Sequence, residues 1–196
     1  NRLDNTYIVF SSDNGYHMGD HNLMPGKQTA FTTDIQVPLV VAGPGVPAGH
    51  TVDAMMSSID LAPTFLQLAR AQPTAEQDGV SMLDEWHGQP APPDWQRAVL
   101  VEHHGPVDSA LDPDVQPYRA GNPPSYEAMR TASSLYVEYD TGEREYYDLR
   151  ADPYETNNTF ATLALPRQLE LHDMLARLET CKGPAECQHA ASSAGV

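Results

Sequence analysis

The densest group of polar side chains follows the first apolar run of the chain. Residues 12–21 read Ser-Asp-Asn-Gly-Tyr-His-Met-Gly-Asp-His, with Gly26-Lys27 shortly after. Asp13 and Asn14 place a carboxylate beside an amide carbonyl, and such oxygen donors favour Ca²⁺ or Mg²⁺ over zinc and copper. A polar Asp-Asn-Gly turn that binds nothing is the alternative, because two oxygens cannot hold a metal ion without further ligands.

His17 and His21, four residues apart, would form a zinc-binding pair if they lay on one helix. Gly15, Gly19 and the Pro25-Gly26 pair flank or interrupt that stretch. These residues strongly disfavour a helix, so the zinc interpretation is not supported. Lys27 draws attention for another reason: the chain has only one other lysine, Lys182, against nine arginines.

Both cysteines lie near the end of the chain, in Cys181-Lys-Gly-Pro-Ala-Glu-Cys187. A Gly-Pro turn between two cysteines favours a small disulfide loop, which would indicate an oxidising compartment; two free thiols on a frayed tail are the alternative. A zinc site is disfavoured because His189 is the one histidine near them.

The elements around these residues predict an α/β fold. Residues 6–11 and 37–42 are continuous apolar runs, which are typical of strands buried on both faces in a parallel sheet. Asp13 and Asn14 would then lie at the carboxyl end of a strand, where open α/β sheets bind ligands. A helix is predicted from about Ser58 to Arg70, capped by Ser58 or Asp60.

The second half of the chain has a different pattern. Residues 73–97 read as an irregular connection, 98–102 as a strand, and 104–125 as a proline-rich loop. Three antiparallel strands are predicted over 127–131, 135–139 and 144–149, followed by a helix over about 166–179. Its buried stripe would contain four residues at helical spacing: Leu171, Met174, Leu175 and Leu178. These patterns divide the chain into an α/β part over 1–97, an antiparallel subdomain over 98–180 and a tail over 181–196.

Composition excludes two classes of protein. The 196 residues carry a formal net charge of −16, whereas a nucleic-acid-binding module needs a basic face. No apolar run approaches the roughly 20 residues that span a bilayer. The chain starts at Asn1 without a methionine, and its first strand-like run begins within six residues. We therefore expect it to be a piece of a longer protein.

Several ordered motifs resemble the type I sulfatases, and among them most closely the arylsulfatases and N-acetylglucosamine-6-sulfatases. The first motif runs from Thr6 to Pro44 and includes Ser-Ser-Asp-Asn-Gly-Tyr-His-Met-Gly-Asp-His, Gly-Lys and Val-Pro-Leu-Val-Val-Ala-Gly-Pro. The others are Ile-Asp-Leu-Ala-Pro-Thr at 59–64 and Tyr-Asp-Leu-Arg-Ala-Asp-Pro-Tyr-Glu-Thr-Asn-Asn at 147–158. The resemblance spans nearly the whole chain and is weakest over 73–125.

The resemblance implies an alkaline-phosphatase-like α/β fold and hydrolysis of sulfate esters by a formylglycine. That nucleophile is made from a Cys or Ser in a Cys/Ser-x-Pro-x-Arg motif by a formylglycine-generating enzyme or an anaerobic maturase. The motif does not occur in this sequence. The chain therefore resembles the C-terminal portion of a sulfatase that lacks its nucleophile and would be inactive alone.

The same resemblance assigns roles to site residues. It implies that Asp13 and Asn14 are calcium ligands and that Lys27 contacts the sulfate. A fixed cation and an ammonium both stabilise the charge that builds on oxygen during S–O cleavage. His17 and His21 would bind a sulfate oxygen or protonate the leaving group, or would be structural.

His103 and His104 lead into the proline-rich loop and would contact the substrate, unless that loop is plain surface. The expected substrate is a small sulfated molecule or a terminal sulfated sugar, because the acidic chain would repel a polysulfated polymer. The expected location is secreted or periplasmic, since the predicted disulfide indicates an oxidising compartment. Two alternatives stay open: a phosphodiesterase or phosphonate hydrolase of the alkaline phosphatase superfamily, and a non-catalytic metal- or carbohydrate-binding remnant.

Overall fold

The computed structural model describes residues 2–106, 111–112 and 115–192. Parts of the predicted 104–125 loop and of the predicted 181–196 tail lie outside these residues. The chain forms two compact units, neither of them continuous in sequence. The first contains Asn1–Phe10, Leu39–Val99 and Ala176–Val196, and the second contains Ser11–Pro38 and Leu100–Leu175. The domain boundaries drawn from the sequence stay predictions.

The two apolar runs of the first unit form short strands, β1 (Ile8–Phe10) and β2 (Val40–Ala42). They pair antiparallel, with Val9 opposite Val41, so the predicted parallel arrangement of these runs is wrong. An apolar run encodes burial but not strand direction, which the connecting chain decides. Val9 and Val41 pack on a core of Met82, Trp86 and Trp95.

The predicted helix after residue 57 is confirmed. A 3₁₀ turn over Ser58–Asp60 leads into α2 (Leu61–Ala69). Asp60, one of the two predicted caps, is the N-cap residue of α2, and it also forms a capping box with Ser57 at the start of the 3₁₀ turn. Asp60 is fully buried, and its carboxylate also accepts hydrogen bonds from the Val80 backbone (2.9 Å) and the Gln96 side chain (2.8 Å). One short helix, α3 (Leu83–Trp86), lies within the segment expected to be irregular.

A four-stranded sheet lies mainly in the second unit. Its strands are β3 (Ala98–His103), β4 (Tyr126–Thr131), β5 (Ser134–Tyr139) and β6 (Arg144–Asp148), in that spatial order. The predicted antiparallel pairing of the last three strands is confirmed. Six buried residues form the core of this unit: Ala30, Tyr126, Ala128, Leu135, Val137 and Tyr147. The short helix α1 (Thr32–Ile35) belongs to the same unit.

The C-terminal region is more helical than expected. The predicted terminal helix is α4 (Leu165–Thr180), and its four predicted core residues are all buried. A second helix, α5 (Pro184–Ser192), follows it. The structure joins Cys181 and Cys187 in a disulfide across this junction. Among the described residues, no helix is both long and apolar enough to cross a bilayer.

Candidate active site

The Asp-Asn-Gly turn that follows β1 is held by its own hydrogen bonds. The Ser12 hydroxyl donates to the Asn14 carbonyl (2.8 Å), and the Asn14 side-chain amide donates to the Gly15 carbonyl (2.7 Å). The Gly15 N–H donates to the Asp34 carbonyl (2.7 Å), and a side chain at Gly15 would collide with the Thr33 carbonyl. Glycine is therefore required by this close approach, which fixes the turn against the neighbouring loop.

Lys27 and Asn14 lie together in this unit. The Lys27 ammonium donates to Asn14 Oδ1 at 3.2 Å. The Asp13 side chain beside them is exposed. Hydrogen bonds from the backbone N–H groups of Asp13 and Asn14 lower the pKa of the Asp13 carboxyl, with smaller contributions from Ser12 and from the charge of Lys27. The arrangement thus joins an amide oxygen to an ammonium, with a carboxylate on the adjacent residue.

The donor set of this turn suits a hard cation. An amide oxygen has two lone pairs, so Asn14 Oδ1 can accept the Lys27 hydrogen bond and still face a metal ion. The ionised Asp13 carboxylate supplies a second oxygen of the kind that Ca²⁺ prefers. Calcium takes six to eight oxygens, so this pair can be only part of a site. Within the described ranges, no group of three or more His, Cys, Asp or Glu side chains could hold a metal ion.

His17 is fully buried and both of its ring nitrogens are engaged. Nδ1 faces the Asp34 carboxylate at 2.8 Å, and Nε2 faces the Ala120 carbonyl at 3.1 Å. Each ring nitrogen of His17 is therefore occupied by a partner from the surrounding loops. The structure therefore favours the structural alternative for His17, because no ring atom faces an open site.

Asp34 organises the loop that carries Lys27. Its carboxylate accepts hydrogen bonds from the Thr29 backbone N–H (2.9 Å) and hydroxyl (2.6 Å) in addition to the contact with His17. The side chain is buried, so these bonds form in a region shielded from water. Sequence reasoning missed Asp34, because its three contacts depend on a fold that brings residues 17, 29 and 34 together.

Replacing Asp34 by alanine should destabilise the protein by about 1–3 kcal/mol, because it leaves the buried Nδ1 of His17 without its hydrogen-bond partner. The measurement is the midpoint of urea unfolding. Asp20→Ala is the matched control, since Asp20 is exposed in the same loop and should shift the midpoint far less. Equal midpoints for the Asp34→Ala and wild-type proteins would contradict a stabilising role.

His21 occupies a different setting from His17. Its ring stacks on Phe31 with centroids 3.6 Å apart and planes 9° apart, and its backbone has a φ of 53°. The structure does not bring His21 into hydrogen-bond contact with Asn14 or Lys27 among the described residues. A catalytic role for His21 stays a prediction.

Glu155, more than a hundred residues after Thr32 in the sequence, contacts the turn that leads to Asp34. This buried carboxylate accepts hydrogen bonds from the Thr32 backbone N–H (2.9 Å) and hydroxyl (2.6 Å) at the start of α1. It therefore caps the turn that leads to Asp34. Its place in the Asp-Pro-Tyr-Glu-Thr-Asn motif is a signal in the sequence that could have indicated a functional contact.

The structure places His103 at the end of β3 and His104 on the exposed surface after it. The His103 ring lies 5.2 Å from that of Tyr126, and burial lowers the pKa of the imidazole. His103 Nε2 is buried with no hydrogen-bond partner in the described part of the chain. No described contact joins either histidine to Asn14 or Lys27, so their substrate-binding role stays a prediction.

Comparison with known proteins identifies the family to which this chain belongs. The model of the family named Sulfatase matches residues 1–71, the part that contains Asp13, Asn14 and Lys27. Human N-acetylglucosamine-6-sulfatase is 34% identical over 93% of this chain and 36% of its own length. The chain belongs to the sulfatase family. This sulfatase chain spans about a third of the length of the relatives it matches.

Solved structures agree with the family assignment. The structure of BT4656 in complex with its substrate D-glucosamine-2-N,6-O-disulfate matches 98% of this chain and 37% of that protein, with a TM-score of 0.76 and 26% identity. The phosphonate monoester hydrolase of Agrobacterium radiobacter matches 90% of this chain and 35% of that protein, with a TM-score of 0.75 and 27% identity. The predicted α/β, alkaline-phosphatase-like fold is confirmed.

Proposed function

We propose that this chain is the C-terminal part of a sulfuric ester hydrolase. The observation that carries the proposal is the 3.2 Å contact between the Lys27 ammonium and Asn14 Oδ1, beside the exposed Asp13 carboxylate. A protein with a net charge of −16 gains anion affinity from cations placed locally in its site. Lys27 is such a cation, and its sequence neighbours match the family model.

In this proposal Lys27 binds a sulfate oxygen and stabilises the negative charge that grows on it as the S–O bond breaks. Lysine suits a tetrahedral anion because its ammonium is a compact charge with three donors. Asp13 and Asn14 hold a Ca²⁺ ion together with ligands from elsewhere in the full-length protein. Bound calcium would act as a Lewis acid on the sulfate oxygens.

The nucleophile has to come from outside this sequence. We propose that it is a formylglycine, because the chain belongs to the sulfatase family. The Cys/Ser-x-Pro-x-Arg motif from which this nucleophile is made does not occur in the 196 residues. A formylglycine-generating enzyme or an anaerobic maturase would then act on the full-length protein. The chain described here would have no turnover alone.

The proposed substrate is a terminal sulfated sugar or another small sulfate ester. The names of the similar proteins support a sugar, since one acts on N-acetylglucosamine 6-sulfate groups by name and another was solved with a disulfated glucosamine. The negative charge of the chain opposes long polysulfated polymers. The disulfide between Cys181 and Cys187 supports a secreted or periplasmic location.

The test is hydrolysis by the full-length gene product, matured with its formylglycine-forming enzyme. We expect kcat/KM for 4-nitrophenyl sulfate to exceed that for 4-nitrophenyl phosphate. Absence of sulfate ester hydrolysis in a protein that carries the formylglycine would contradict the proposal. A full-length sequence without the nucleophile motif would instead support the non-catalytic alternative.

A second candidate is a phosphonate monoester hydrolase. It is favoured by the similarity to the Agrobacterium radiobacter enzyme, which covers 90% of this chain, against 98% for the BT4656 structure. Both chemistries use a tetrahedral anion, so the Lys27 site suits either. A phenyl phosphonate monoester hydrolysed faster than the aryl sulfate would favour this candidate.

A further inference from the structure

The backbone around Lys27 is held from both sides by side chains that are distant in sequence. The Lys27 N–H donates to Gln116 Oε1 at 3.1 Å. The Tyr126 hydroxyl donates to the carbonyl of the next residue, Gln28, also at 3.1 Å. Gln28 has a φ of 87°, a conformation that a residue with a side chain adopts only when its surroundings impose it.

The segment that contains Gln116 makes further contacts with the same loop. The Ala120 carbonyl accepts from His17 Nε2 (3.1 Å), and the Arg119 carbonyl accepts from the Met24 N–H (2.9 Å). Gly26 is buried against Ala120, and a Cβ at Gly26 would collide with the Ala120 carbonyl. The end of the proline-rich segment therefore forms the support on which the Lys27 loop lies.

The surroundings of Tyr126 keep its hydroxyl protonated, so that it remains a hydrogen-bond donor to the Gln28 carbonyl. It is almost fully buried, with its ring against Tyr139 at 5.6 Å and His103 at 5.2 Å. Burial strongly raises the pKa of its phenol, so the hydroxyl keeps its hydrogen at neutral pH. The ring contacts fix the direction in which this hydroxyl points. Its hydrogen bond to Gln28 is therefore a restraint on the loop and not a transient surface contact.

We propose that Gln116 and Tyr126 are positioning residues for Lys27. They fix the backbone from which the lysine side chain extends to Asn14, and they couple the proline-rich segment to the anion-binding group. The proposal rests on the proposed function, in which Lys27 binds the substrate anion. Lysine has a flexible four-carbon stem, so the reach of its ammonium depends on where its backbone is held. A displacement of about 1 Å in such a group costs about a hundredfold in rate.

The experiment uses the fact that the chain has only two lysines, Lys27 and Lys182. Full-length protein is treated briefly with acetyl N-hydroxysuccinimide, and acetylation at each lysine is measured by mass spectrometry. Lys182, which is exposed in the first unit, is the internal reference. In Gln116→Ala and in Tyr126→Phe, the Lys27 to Lys182 ratio should rise roughly two- to tenfold, the range expected for one lost hydrogen bond.

Matched variants separate positioning from general loosening of the fold. Gln116→Glu keeps an oxygen acceptor for the Lys27 N–H and should restore the ratio toward the wild-type value. Tyr118→Phe removes a hydroxyl from an exposed tyrosine of the same segment and should leave the ratio unchanged. Melting temperatures are measured for every variant. If Tyr126→Phe does not fold, the test rests on Gln116→Ala alone.

A ratio that stays at the wild-type value in folded Gln116→Ala protein overturns the proposal. A ratio that rises in Gln116→Ala and returns in Gln116→Glu supports it. The acetylation result does not depend on catalysis. The Lys27 to Lys182 ratio could rise as expected in a protein whose wild-type form hydrolyses no sulfate ester. That result would support the positioning of Lys27 by Gln116 and Tyr126 and would contradict the proposed function.

Discussion

Replacing Asp13 by alanine should lower kcat/KM for an aryl sulfate by roughly a thousandfold or more in the full-length protein. A Lewis-acid cation contributes several kcal/mol of transition-state stabilisation, and each 1.4 kcal/mol corresponds to about a factor of ten in rate. Asp13 is exposed and belongs to no buried cluster, so the variant should fold normally. The expected loss is therefore one of chemistry and not of stability.

The matched control is Asp20→Ala, which removes the same charge from another exposed position of the same loop. It should keep nearly all activity. Steady-state rates are measured for both variants over a calcium titration, together with their melting temperatures. Wild-type rates in Asp13→Ala at limiting calcium would contradict the proposal that Asp13 is a calcium ligand.

The sequence predicts local structure in this chain well. The strands β4 to β6 and the helix α4 were expected within a residue or two, because alternation and helical spacing are properties of adjacent residues. The proximity of Lys27 to the Asp-Asn-Gly turn was also expected, because the two are separated by only thirteen residues and their motifs resemble one family. These features need little information from distant parts of the chain.

The features that sequence reasoning missed depend on distant contacts. The sequence left the structural and catalytic roles of His17 open, because the Ala120 carbonyl that lies 3.1 Å from its ring is more than a hundred residues away in the chain. Gln116 and Glu155 contact the loops of Lys27 and Thr32 from far along the chain. Nothing local marks Gln116 as part of a site, and the motif around Glu155 does not indicate which residue its carboxylate contacts. Burial and hydrogen-bond partners are properties of the folded chain.

Two further differences have local causes. The direction of β1 relative to β2 was mispredicted because an apolar run is compatible with either pairing. The helix α5 was missed because its sequence has a weak apolar pattern and follows Lys182-Gly183. Pro184 at its first position is a typical start of a helix, and this signal could have indicated α5.

Replacing Lys27 by methionine should lower kcat/KM for an aryl sulfate by about a hundred- to a thousandfold, the cost of removing one preorganised donor to a developing oxyanion. Methionine keeps an unbranched side chain of similar length, so packing changes little. The Lys27 ammonium donates to Asn14 Oδ1, which means that the variant also frees an oxygen of the proposed metal pair. Calcium affinity should therefore be kept or increased while turnover falls.

That opposite response separates the role of Lys27 from that of Asp13. The control is Lys182→Met, which removes the other lysine of the chain and should leave both rate and calcium affinity unchanged. Lys27→Arg should recover part of the activity, because a planar guanidinium keeps the charge but matches a tetrahedral anion with different geometry. Equal rates for the Lys27→Met and Lys182→Met proteins would show that the ammonium beside Asn14 takes no part in binding the anion.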